Sequence, residues 1–170
     1  MRSSIACLLL VLSAVCIAEA QDDRYLLLAT ERTSTMQQEI NAAAERGFRV
    51  VAASPKESSE VVVLLEQTRD KYEYHLVATT KTSTLQREIS EAAESGYHIV
   101  PRAVTGKGDE VLVLMERGAE GPANAQYQVL ATERTGTLQK EISEASANGY
   151  TLVALAGRSE YVAILERDPR

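Results

Sequence analysis

The sequence predicts an α+β protein: three tandem β-α-β-β repeats whose sheets pool into one core, with the helices on the outer face. Three observations point to it. A 23-residue stretch occurs three times without gaps, at 25–47, 74–96 and 127–149, and 10 of its positions are identical in all copies. Within each stretch the apolar period changes from that of a strand to that of a helix. Each stretch is followed by two more apolar runs parted by polar residues, the pattern of a hairpin.

A leader precedes the repeats. Arg2 and the amino terminus are positive, residues 5–18 are apolar except for Ser13, and Ala18-Glu19-Ala20 is a small-x-small cleavage pattern. The expected division is a signal peptide at 1–20, then repeats at 21–70, 71–120 and 121–170 that form one compact domain. Cleavage after Ala20 would remove both cysteines, Cys7 and Cys16, so an exported chain would have no disulfide. It would also remove Arg2 and Glu19 together, leaving the net charge at −6. That acidity argues against nucleic acid and anionic membrane surfaces. The apolar run is too short for a stable membrane span, which takes about 20 residues. The expected location is periplasmic or extracellular.

Each repeat opens with a strand, at 25–30, 74–79 and 127–132, where Tyr25, Leu27 and Ala29 alternate on one face. The helix follows. Met36, Ile40, Ala43 and Ala44 recur as Leu85, Ile89, Ala92 and Ala93, one apolar stripe; in the third copy the last place is Ser146. Ser34, Ser83 and Gly136, with Gln37, Gln86 and Gln139 three residues later, predict the N-caps and capping boxes. Glu39, Glu88 and Glu141 are expected in the first turns, where they would favour the helix dipole. Gly47, Gly96 and Gly149, each followed by an aromatic residue, predict Schellman stops.

Second strands are predicted at 48–53, 97–104 and 150–156. Polar loops follow at 54–59, 105–109 and 157–159, and last strands at 61–65, 111–115 and 161–165. The last strands are continuously apolar, so both of their faces need cover. A single repeat is close to the lower size limit for independent stability. Its bare sheet face must therefore meet another repeat or another chain, either around a pseudo-threefold axis or in one open sheet. Glu66, Glu116 and Glu166 end these strands and read as solvated ends or edge protection.

Tyr72-Glu73-Tyr74, the helix, Gly96-Tyr97-His98-Ile99-Val100 and the run from Glu110 to Arg117 resemble a short bacterial secreted domain family of unknown function. Its members read Tyr-Glu-Tyr, a helix, Gly-Trp and a final apolar strand ending in a basic residue. This chain is similar to three such units in tandem, with Tyr or Phe in place of the Trp. The resemblance implies the fold and brings no activity with it.

One polar signature recurs in every copy, Ala-Thr-x-[Arg/Lys]-Thr-x-Thr-[Met/Leu]-Gln, at the entry to the helix. Backbone N–H groups at a helix start, beside hydroxyls and a cation, can hold a phosphate, sulfate or carboxylate. The candidate ligand-binding residues are Arg32, Thr33 and Thr35; Lys81, Thr82 and Thr84; and Arg134, Thr135 and Thr137. Turn and cap formation requires the same residue types. No paired carboxylates, Gly-x-Ser-x-Gly motif or metal-ligand spacing appears, and the two histidines, His75 and His98, stand without ligand partners in sequence. The sequence thus predicts no catalytic residues, no metal and no cofactor. It favours a non-catalytic exported interaction or scaffold module for an unknown protein or surface partner, with an oligomer conceivable through an exposed sheet edge. A small-ligand or anion binder is the alternative.

Overall fold

The alternating, threonine-ended run that opens each copy forms a strand, and the stripe of the next residues forms a 13-residue helix. In the computed structural model, which describes residues 24–56, 60–118 and 125–168, the first repeat holds β1 (Tyr25–Thr30), α1 (Thr33–Glu45), β2 (Phe48–Lys56) and β3 (Glu60–Gln67). The second holds β4 (Glu73–Thr79), α2 (Thr82–Glu94), β5 (His98–Lys107) and β6 (Glu110–Arg117). The third holds β7 (Gln126–Thr132), α3 (Thr135–Ala147), β8 (Thr151–Gly157) and β9 (Tyr161–Arg167). The predicted leader and the cleavage site expected after Ala20 lie outside the described residues, as does the middle of the 117–126 connector.

Each repeat forms its own three-stranded antiparallel sheet, ordered β1-β3-β2, β4-β6-β5 and β7-β9-β8. The last strand is central, which accounts for its unbroken apolar run. On β6, Val111, Val113 and Met115 face α2, while Leu112 and Leu114 pack into the first repeat. On β9, Ala163 and Leu165 face α3, while Val162 and Ile164 pack into the second repeat.

The three sheets stack in series. α1 packs on its own sheet and on β4 of the next repeat; α2 does the same with β7; β2 lies against β5, and β5 against β8. No element of the first repeat makes more than marginal contact with an element of the third. The pooled core is therefore a row of clusters, one at each joint and a smaller one under α3. It follows neither closed threefold packing nor a single hydrogen-bonded sheet. The outer half of each helix faces solvent.

The left-handed glycines are as expected at all three helix stops, and the Schellman closure is formed at two of them. Gly47, Gly96 and Gly149 have φ of 88°, 84° and 86°. Beyond the last two, Tyr97 N–H donates to Ala92 O and Tyr150 N–H to Ala145 O, both at 3.1 Å, closing Schellman motifs. The helix starts differ from expectation. The N-caps are Arg32, Lys81 and Arg134, two residues before Ser34, Ser83 and Gly136, and none caps with its side chain. The strand-ending threonines cause the shift. The hydroxyls of Thr30, Thr79 and Thr132 accept the N–H of Arg32, Lys81 and Arg134 at 3.2 Å, fixing the turn early. No acidic residue then falls in a first turn, so Glu39, Glu88 and Glu141 sit too far along to complement the N-terminal dipole.

The first two hairpins are also tighter than expected. β2 extends to Lys56 and β5 to Lys107, pairing residues 54–56 and 105–107 that read as loop. In the second repeat only Gly108 and Asp109 remain to turn the chain, with Gly108 at φ 57°. A left-handed glycine at such a turn lets the ladder run on through polar residues.

Candidate functional site

Two places gather polar side chains: the helix entries and the joints between repeats. At the entries, Thr33, Thr82 and Thr135 are the first helical residues, and Thr35, Thr84 and Thr137 lie two positions further on. Each trio stays at its own helix start. The entry of α2 is engaged by the next repeat: Arg158, from the hairpin between β8 and β9, donates to Thr80 O at 2.7 Å and to the Thr82 hydroxyl at 2.8 Å, and pairs with Glu160. At α1 the corresponding cation is Lys107, which donates to Glu31 O.

The joints repeat one design. The Gln37 carboxamide leaves its own helix start and clamps the free edge of β4, donating to Tyr74 O at 2.9 Å and accepting Leu76 N–H at 2.6 Å. Gln86 does the same to β7, with Tyr127 O at 2.9 Å and Val129 N–H at 2.8 Å. An edge strand presents an unpaired C=O and N–H that a carboxamide matches in both. This pairing, rather than a capping box, is where the recurrent glutamine acts. Bulges in the second strands complete the joint: the register slips after Val50, Ile99 and Leu152. Val50 N–H is accepted by the Tyr74 hydroxyl at 2.8 Å, and Ile99 N–H by the Tyr127 hydroxyl at 3.1 Å. Burial, the largest influence, pushes both phenols well above their ordinary pKa.

Glu116 corrects the expectation of a solvated strand end. Its side chain is 3% exposed at the first joint. Arg49 of the first repeat grips both carboxylate oxygens, at 2.5 and 3.2 Å, and stacks on the Tyr72 ring at 4.5 Å. The Tyr74 hydroxyl lies 3.2 Å and His98 Nε2 3.4 Å from the same carboxylate. Desolvation alone would raise the Glu116 pKa, but the hydrogen bonds from His98 and Arg49 together with their charge hold it below the usual carboxylate value. His98 Nδ1 is buried without a hydrogen-bond partner among the described residues. Each final-strand Glu pairs across the ladder with the opening Tyr of its repeat, but Glu116 is the one that Arg49, 67 residues earlier, closes over, a contact that no local sequence pattern signals.

A cleft of about 530 Å³ opens beside this cluster, lined by Arg49, Glu66, Thr68 and residues 100–102. Its counterpart in the third repeat, along Thr151, Glu166 and Arg167, is lined by residues of that repeat alone. Among the described residues no group of three His, Cys, Asp or Glu could hold a metal ion, and no helix is long and apolar enough to cross a membrane. No known family model matches the chain, and no curated protein or solved structure matches it significantly. The likeness to a short bacterial domain family therefore rests on the quoted motifs alone.

Proposed function

We propose that the protein is a non-catalytic exported interaction or scaffold module working through the apolar faces at the two ends of its repeat row. The observation that carries this reading is the contrast between equivalent residues. Tyr74 and Tyr127 are 3% and 6% exposed inside joints, whereas Tyr25 at the first end is 49% exposed and Leu27 beside it 65%. At the other end Leu152, Leu155 and Tyr161 are similarly bare. Covering one leucine contributes about 1.5–3 kcal/mol, so contiguous faces of this kind favour an occupant. The helix-entry motif supports an anion binder less well, because at the α2 entry the Glu160 carboxylate already accepts the Thr82 hydroxyl at 3.4 Å and pairs with Arg158. The leader pattern supports export.

Photo-crosslinking in the producing cells tests the reading. A photoreactive residue at position 25 or 155 should capture a protein, and one at Gln38 on the solvent side of α1 should not. Absence of any adduct at 25 and 155, or equal capture at 38, would contradict it.

A further inference from the structure

The joint between repeats occurs twice within the chain, and its two unfilled halves stand at opposite ends. The half that the third repeat would offer to a following repeat keeps the glutamine and the bulge residue, although Thr151 stands where Arg49 and His98 do. Gln139, equivalent to Gln37 and Gln86, has only Ser143 as a hydrogen-bond partner among the described residues, at 3.3 Å. Leu152 follows Val50 and Ile99 in the bulge series, yet it is 44% exposed where they are 3%. Ile142 is half-buried where Ile40 and Ile89 are fully buried.

The half that the first repeat would offer to a preceding repeat keeps the tyrosine, the edge strand and the hairpin cation. Tyr25 and Leu27 occupy the positions at which Tyr74 and Leu76 receive the Gln37 clamp. Val62 and Leu64 are only partly buried where their counterparts Leu112, Leu114, Val162 and Ile164 are fully buried. Lys56, the counterpart of Lys107, ends its strand at the same hairpin.

We infer that the protein associates head to tail with further copies of itself, the α3–β8 side of one copy receiving the outer face of the β1-β3-β2 sheet of the next. The occupant follows from what each end demands. The third repeat asks for an edge strand with a free C=O and N–H, a tyrosine hydroxyl at the bulge and a cation over the helix entry. The chain carries that set at its other end. Such an interface is heterologous, joining unlike surfaces, so copies add in one direction instead of pairing symmetrically. The inference rests on the interaction-module reading and names its partner.

The test is sedimentation equilibrium of the full protein with two variants, Leu27→Glu and Leu152→Glu. Leu27 is 65% and Leu152 44% exposed in the single chain, so both variants should keep the fold of the parent by circular dichroism. The parent should gain mass with concentration across the micromolar range. Each variant alone should lose association by about 30-fold or more, because every joint would contain one charged leucine site. An equimolar mixture should recover one joint, made from the intact third repeat of Leu27→Glu and the intact first repeat of Leu152→Glu. The product is a 1:1 heterodimer and nothing larger. A parent that stays monomeric, single variants that still associate, or a mixture that fails to pair would each overturn the inference. A monomeric parent whose positions 25 and 155 still crosslink to a different protein would overturn self-association and leave the interaction module standing.

Discussion

Gly106→Ala is expected to lower unfolding stability by about 2–4 kcal/mol, one of the largest effects of any single methyl group in this chain. A Cβ at position 106 would lie 2.0 Å from Gly157 O, a backbone atom that cannot rotate aside. Gly106 is near the end of β5 and Gly157 ends β8, so the added methyl drives the second and third repeats apart. Gly136→Ala is the matched control. It places a methyl where no atom lies within 4 Å, inside α3, and should gain up to about 1 kcal/mol from helix propensity. Urea unfolding of the two variants against the parent reads both signs. Equal effects would mean that the β5–β8 approach is looser than described.

The second large effect is dependence on acid. The folded-state pKa of Glu116 is depressed, so the group binds its proton more weakly folded than unfolded. Its contribution is present above the ordinary carboxylate value of 4.5 and is lost as pH falls through the lower folded value. Removing one partner of a buried pair costs about 3–5 kcal/mol when both charges are enclosed. The Arg49 side chain is 46% exposed, so Arg49→Ala should cost less, about 2–3 kcal/mol at neutral pH. Glu116→Gln keeps the shape and removes the charge. It should flatten the decline in stability below about pH 4.5 that the parent shows. Denaturant midpoints at neutral pH and in acid measure this; an unchanged acid limb in Glu116→Gln would place the titrating group elsewhere.

Much of the fold was legible because repetition separates constrained positions from free ones. The stripe from Met36 to Ala44, its copies, and the glycines after each helix recur because burial and a left-handed turn admit few alternatives. The continuous apolar runs announced strands covered on both faces, and the central strands β6 and β9 are so covered. What stayed hidden depends on neighbours distant in sequence. Ser34 and Gln37 make a local capping-box pattern, and nothing local reveals that the edge of β4 arrives to take the glutamine instead. Glu116 looks like a solvated strand end until Arg49, 67 residues away, closes over it. The period within a repeat also carries no rotation between repeats, so serial stacking was not separable from threefold closure. The candidate anion residues were placed correctly at helix entries by sequence pattern, but the incoming Lys107 and Arg158 come from hairpins whose position only the stacking sets.

That each joint is the same device, with its two halves uncovered on the first and third repeats among the described residues, is tested most directly by amide hydrogen exchange at three equivalent residues: Leu27, Leu76 and Val129. Leu76 and Val129 N–H are bonded to Gln37 and Gln86, whereas the same edge of β1 at Leu27 has no such clamp among the described residues. At high dilution Leu76 and Val129 should exchange slowly and Leu27 fast, and Leu27 should slow towards the other two as concentration rises. A Leu27 amide as protected as Leu76 at every dilution, or unprotected at every concentration, would contradict it.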